Sequence, residues 1–226
     1  MKKIVITIVA MCAVAASFAQ EEKSITVDAG ADLVSSYVWR GMYQSGVSFQ
    51  PTLSVSGYGL TLGAWGSTDI TAQFKELDYF LSYEIGGFSA AATAYWWLGE
   101  GSPYFHRSGH LIEGSLGYTF GESFPLSLGV NTMLGGEEDK DEDGKQQFST
   151  YITASFPFSI KTVDCEVGVG ISPAKGLYAD KFDVATISAK ASKKIEISDK
   201  FALPVFVELI LAPAKDNAFL VFGLTF

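Results

Sequence analysis

The stretch Asn217-Ala218-Phe219-Leu220-Val221-Phe222-Gly223-Leu224-Thr225-Phe226 decides the fold. Ala218, Leu220, Phe222, Leu224 and Phe226 form one apolar row with a strict period of two. Asn217, Gly223 and Thr225 share the other row with Phe219 and Val221. Side chains two apart lie on the same face of a strand, so the segment reads as extended chain with one continuous apolar face. The ends of soluble domains usually fray into water. In a closed membrane barrel the final strand pairs with the first and turns its outer row to lipid. The reading is therefore a terminal barrel strand.

Working outward, alternating stretches of about ten residues recur along the chain, the pattern of a transmembrane β-barrel. Strands are expected near 24–40, 47–57, 59–68, 75–85, 88–98, 109–119, 125–134, 147–157, 161–172, 183–194, 201–212 and 217–226. About twelve strands is an even count, as single-chain bacterial barrels have. Alternate joints are tight: Gly57-Tyr58-Gly59, Gly86-Gly87, Gly121-Glu122-Ser123, the Pro157–Ile160 corner and Ile197–Lys200. The others, including Asp69–Phe74, Gly99–Ser108, Gly135–Gln146 and Pro173–Phe182, are mostly longer and more polar; Met42–Gly46 is read as one of them. Short turns at one rim and long loops at the other are the asymmetry of an outer-membrane barrel. The expected fold is thus an all-β, antiparallel, up-and-down transmembrane barrel over residues 20–226.

Residues 1–19 read as a signal peptide. Lys2 and Lys3 precede an apolar run too short to span a bilayer, and Ser17-Phe18-Ala19 suits cleavage before Gln20. No later run reaches the 18 or so apolar residues of a spanning helix. Cys165 is the one cysteine of the mature chain, which excludes an internal disulfide. A net charge of -9 with scattered bases argues against nucleic acid. The expected location is the cell outer membrane, with membrane lipid as one partner. No motif asks for a cofactor, and nothing in the chain fixes an oligomeric state.

The faces separate by parity. Outward rows include Ile25, Val27, Ala29, Ala31 and Leu33; Val47, Phe49, Pro51, Leu53 and Val55; and Leu203, Val205, Val207, Leu209 and Leu211. None carries a charge, because an ionised group at the bilayer midplane costs about 2–4 kcal/mol. The opposite rows hold Asp28, Asp32, Arg40, Glu76, Asp78, Glu84, Glu113, Asp164, Glu166, Lys190 and Glu208. These eleven are the candidate lumen lining. They form either an electrostatic plug or an acidic conduit that favours cations and neutral polar solutes. Twelve strands lie between side-chain-filled and water-filled barrels, so both readings stand. Trp65, Tyr95 and Trp97 share the lumen parity and would narrow the bore. Tyr37, Trp39, Trp96, Tyr118 and Phe120 fall near strand ends, where interfacial aromatics sit. The 99–109 loop is the candidate for folding into the lumen.

Two further motifs are weighed. Asp139, Asp141 and Asp143, followed by Gly144, match the first half of a calcium loop. The twelfth position holds Thr150 where Glu is needed, so a solvated acidic loop competes with weak calcium binding. A barrel hydrolase would need a serine beside a histidine. His106 and His110 are the only histidines; His106 lies in a loop beside Arg107, His110 has no serine at the next position on its outward face, and no G-x-S-x-G elbow occurs. An enzyme is not expected.

Ser35-Ser36-Tyr37-Val38-Trp39-Arg40-Gly41, Gln50-Pro51, Gly63-Ala64-Trp65-Gly66-Ser67 and Glu76-Leu77-Asp78-Tyr79 together resemble the TorF family of outer-membrane porins. The likeness is clearest over 30–120 and in the closing strand. It implies a barrel in the outer membrane and names no solute. An Arg40 pairing with Glu76 or Asp78 at the outer rim would account for the motif. The function expected is passive diffusion of small polar solutes through a narrow acidic lumen. A closed barrel with a structural or surface-binding role is the alternative, and a lipid hydrolase a distant third.

Overall fold

The computed structural model describes residues 24–97, 104–105, 109–198 and 201–226. The expected signal peptide 1–19, His106 and most of the 99–109 loop lie outside the described residues. Alternating apolar residues with few helix formers on the same face give extended chain, and extended chain dominates the description. The strands are β1 (Thr26–Val34), β2 (Tyr37–Trp39), β3 (Met42–Ser45), β4 (Ser48–Gly57), β5 (Leu60–Asp69), β6 (Lys75–Ile85) and β7 (Phe88–Tyr95). They continue as β8 (Leu111–Thr119), β9 (Ser127–Gly135), β10 (Thr150–Ile160), β11 (Val163–Ser172), β12 (Asp183–Ser198), β13 (Phe201–Ala212) and β14 (Asn217–Thr225).

Twelve of these strands close into one antiparallel barrel: β1, then β4 to β14 in sequence, with β14 returning to β1. The closing seam is short. Asp32, Leu33 and Val34 pair with Thr225, Leu224 and Gly223. Phe226 N donates to Ala31 O at 2.9 Å, and Ala31 N donates back to Phe226 O at 3.2 Å. Closure removes the unpaired edges that hydrocarbon cannot tolerate. No helix among the described residues is long and apolar enough to cross a membrane.

Parity holds along the wall. Leu53, Leu62, Leu116, Leu209 and Leu220 stand exposed on the outside, while Ser48, Gln50, Glu76, Asp78 and Glu113 are buried on the inside. This inverts a water-soluble globule, whose apolar side chains turn inward. The prolines fall where the ladder does not need their missing N–H. Pro157 lies past Ser155, the last residue of β10 that β9 pairs, so β10 runs on to Ile160 and turns at Lys161. The expected corner at 157–160 is therefore strand.

The first expected strand, 24–40, is corrected. The barrel strand stops at Val34, and the chain turns into the lumen as the hairpin β2–β3. Tyr37 meets Trp65 of β5 at 5.4 Å between ring centres. Trp39 meets Tyr95 of β7 at 5.4 Å. Arg40 reaches Glu113 of β8. A Cβ on Gly41 would stand 2.9 Å from the Ala185 carbonyl of β12 and 3.0 Å from Ala212 of β13. A segment that touches strands so far apart around a barrel can only lie inside it. Met42–Gly46 is thus the return limb of the hairpin, and Tyr37 and Trp39 are interior, not girdle, residues. Both limbs are extended, so their alternation reads in sequence as a continuation of β1.

The buried core sits around this hairpin in the long-loop half. Tyr95, Leu111, Met133, Tyr151, Tyr178 and Ala185 form one cluster, with Trp39, Met42 and Trp97 packed against it. Val34, Ile210 and Val221 form a smaller one, touched by Val38 and Phe206.

Candidate functional site

The site is the tip of the inserted hairpin and the wall that receives it. Trp39 and Met42 pair across a two-residue turn made by Arg40 and Gly41. Both turn residues have positive φ, 50° and 80°. That is the geometry hairpin turns prefer, and it normally calls for Asn, Asp or Gly first. Arg40 in this conformation is strained by about 1–2 kcal/mol, so its side chain must return something.

It returns a bidentate ion pair. Arg40 Nη1 donates to Glu113 Oε2 at 2.5 Å, and Nη2 donates to Oε1 at 2.9 Å. The Arg40 side chain is 13% exposed and that of Glu113 2%. Tyr95 and Ser115 hydroxyls donate to the same carboxylate at 3.0 and 3.2 Å. Arg40 Nη1 also donates to the Tyr178 hydroxyl at 2.5 Å. Burial holds the Tyr178 phenol above its ordinary titration range, so it remains a neutral partner. The guanidinium lies within 5.4 Å of the ring centres of Trp39, Tyr151 and Tyr178. Rings and carboxylate together replace the water this cation gives up.

Arg40 therefore pairs with Glu113 and not with Glu76 or Asp78. The inward turn of the chain carries the guanidinium across the bore to β8. Tyr178, Tyr95 and Tyr151 complete the site without having been singled out in sequence as its members. Arg40-Gly41 between two extended runs was a hairpin signal, because Arg-Gly can form a tight turn. Nothing marked Tyr178, which comes from the 173–182 loop and is fully buried.

The other candidate residues sort by height. Near the tight turns, Asp28, Glu84, Asp164 and Glu166 are exposed. Midway, Asp32, Lys190 and Glu208 are half-buried. Glu166, Lys190 and Glu208 are ladder partners across β11, β12 and β13, and Lys190 Nζ sits 4.2 Å over the Phe206 ring. A cavity of about 200 Å³ beneath the hairpin is lined by Asp32, Gln50, Lys190 and Glu208. Toward the long loops, Arg40, Glu76, Asp78 and Glu113 are removed from solvent.

In the acidic loop, Asp139 is fully buried and accepts from Gln146 Nε2 and from Ser149 N. Asp141 Oδ1 accepts from Asp143 N and Lys145 N, and Asp143 pairs with Lys145 at 3.5 Å. These three carboxylates thus serve the loop's own backbone and lysine. Among the described residues, no group of three or more His, Cys, Asp or Glu is placed to hold a metal. His110 Nε2 lies 2.6 Å from the Tyr104 carbonyl, an interaction without a serine.

No family model and no curated protein matches the chain. Among solved structures, a mutant of the Rh. blastica porin is similar at 11% identity, covering 91% of this chain and 74% of that one, with a TM-score of 0.41. A structure titled "Asymmetric conductivity of engineered proteins" is similar at 11% identity over the same shares, with a TM-score of 0.42.

Proposed function

We propose that this protein is an outer-membrane channel of the TorF type whose bore is restricted by its own first hairpin. Small polar solutes, with cations favoured, enter from the tight-turn side and pass when the hairpin yields. The observation that carries this reading is the split of the lumen. Near the tight turns Asp28, Glu84, Asp164 and Glu166 are exposed, as an aqueous half-lumen would leave them. The long-loop half is filled by an inserted element held at its tip by one polar latch. Carboxylates along a low-dielectric wall raise the local cation concentration. A hairpin joined to the wall through short segments can move as a unit, as restrictive elements in channels do.

The continuous buried core around the hairpin favours a second reading, a sealed barrel that presents its long loops to a partner. Planar-bilayer conductance separates them. The full chain is compared with a variant in which residues 36–46 are replaced by a flexible linker. The channel reading predicts small, intermittent, cation-selective steps from the full chain and larger, steady ones from the variant. A silent full chain beside a conducting variant supports the sealed barrel. Silence from both, with folded barrels in the bilayer, rejects a conduit.

A further inference from the structure

Among the described residues, four buried side-chain polar atoms lack a hydrogen-bond partner, and two of them belong to Glu76 and Asp78, two apart on the inward row of β6. They are 4% and 6% exposed. Tyr37 and Trp97 donate to Glu76, yet Glu76 Oε2 and Asp78 Oδ1 are buried with no hydrogen-bond partner. Among the described residues neither carboxylate forms an ion pair, and Arg40 is committed to Glu113. A buried carboxylate without a counter-charge is unstable by several kcal/mol, and here two adjoin.

The surroundings supply oxygen. Ser67 stands directly opposite Glu76 in the ladder, and Trp65 opposite Asp78. Gln50 Nε2 donates to Ser67 Oγ at 3.4 Å, which sets the Gln50 amide beside Ser67. Gln50 and Ser67 are themselves buried. The β4–β5 ladder skips Gln50 and Pro51 between Phe49 and Thr52, where proline lacks an N–H. Two carboxylates, the Ser67 hydroxyl, the Gln50 amide beside it and the Tyr37 hydroxyl are thus neighbours in pairs, from β2, β4, β5 and β6. The cavity beneath the hairpin is lined by Tyr37 and Gln50 on the side away from Glu76 and Asp78, which do not line it.

The geometry points to a hard divalent cation site, of calcium type, formed by Glu76 and Asp78 with Gln50, Ser67 and Tyr37 as neutral oxygen donors. An all-oxygen donor set selects hard cations over zinc or copper. Two carboxylates match a double positive charge. The site is separate from the Asp139–Asp143 loop, and it ties the base of the hairpin, through Tyr37, to the wall. It stands whether or not the barrel conducts.

The test uses terbium, a luminescent stand-in for calcium, on the full chain refolded in detergent micelles. Trp65 and Trp97 lie close enough to sensitise a bound ion. The expected result is saturable terbium emission, displaced by calcium, weakened at least ten-fold in affinity by Glu76→Gln with Asp78→Asn. It is unchanged when Asp139, Asp141 and Asp143 are all changed to Asn. Trp65→Phe, which leaves the carboxylates and the donors to Glu76 in place, dims the emission while calcium displaces it at the same concentration. No saturable emission overturns the assignment. So does emission lost only with the loop variant, or emission indifferent to Trp65.

Discussion

Arg40 ties the hairpin tip to β8 and to Tyr178, and its removal is a sharp test. Arg40→Ala leaves Glu113 buried without its counter-charge and should destabilise the barrel by about 3–5 kcal/mol, read from denaturant unfolding in lipid vesicles. Replacing both partners with apolar residues, Arg40→Met with Glu113→Leu, should recover most of that loss, because no lone charge remains. If the double variant is as unstable as the single one, the pair is not the source of the effect. Gly41 is constrained for a different reason. A side chain there meets the Ala185 carbonyl and adopts a backbone conformation that disfavours a Cβ. Gly41→Ala should cost about 1–3 kcal/mol and should open the latch in conductance records, whereas the same change at exposed Gly86 should not propagate to the tip.

At the level of elements, the hairpin was the part least legible in the sequence. The twelve barrel strands announced themselves through period-two rows and paired turn signals, and most bounds fell within a few residues. The hairpin hid because β2 and β3 are extended too, and parity alone does not say whether a strand joins the wall or crosses the bore. The rest of the site was half visible. Arg40 and Glu113 were recognisable as charges without a lipid-facing option, but their pairing joins residues 73 apart in the chain. Only the inward turn after Val34 brings them together. This predicts that the hairpin is dispensable for closure. With residues 36–46 exchanged for a linker, β1 still pairs with β4 and β14 through residues outside the deletion. The variant should run as a folded, heat-modifiable barrel on a gel. A chain that no longer folds would mean that the wall depends on its insert.

For the whole molecule, the governing fact is the sorting of chemistry between two faces of one closed wall. Neighbouring residues on a single strand should then respond oppositely to charge. Leu209→Lys places an ammonium in hydrocarbon and should destabilise by about 2–4 kcal/mol. Glu208→Gln, one residue away, should leave stability within about 1 kcal/mol, because it faces the lumen and brings no like charge to Lys190. Under the channel reading it should also shift selectivity toward anions.

A nitroxide scan of residues 203–211 of β13, one label at a time in a Cys165→Ser background and in lipid vesicles, tests that sorting most directly. The account predicts high oxygen and low aqueous-nickel accessibility at Leu203, Val205, Val207, Leu209 and Leu211, with the opposite preference at Phe206 and Glu208. Accessibility without this alternation, or with its sign reversed, would contradict the barrel's placement in the membrane.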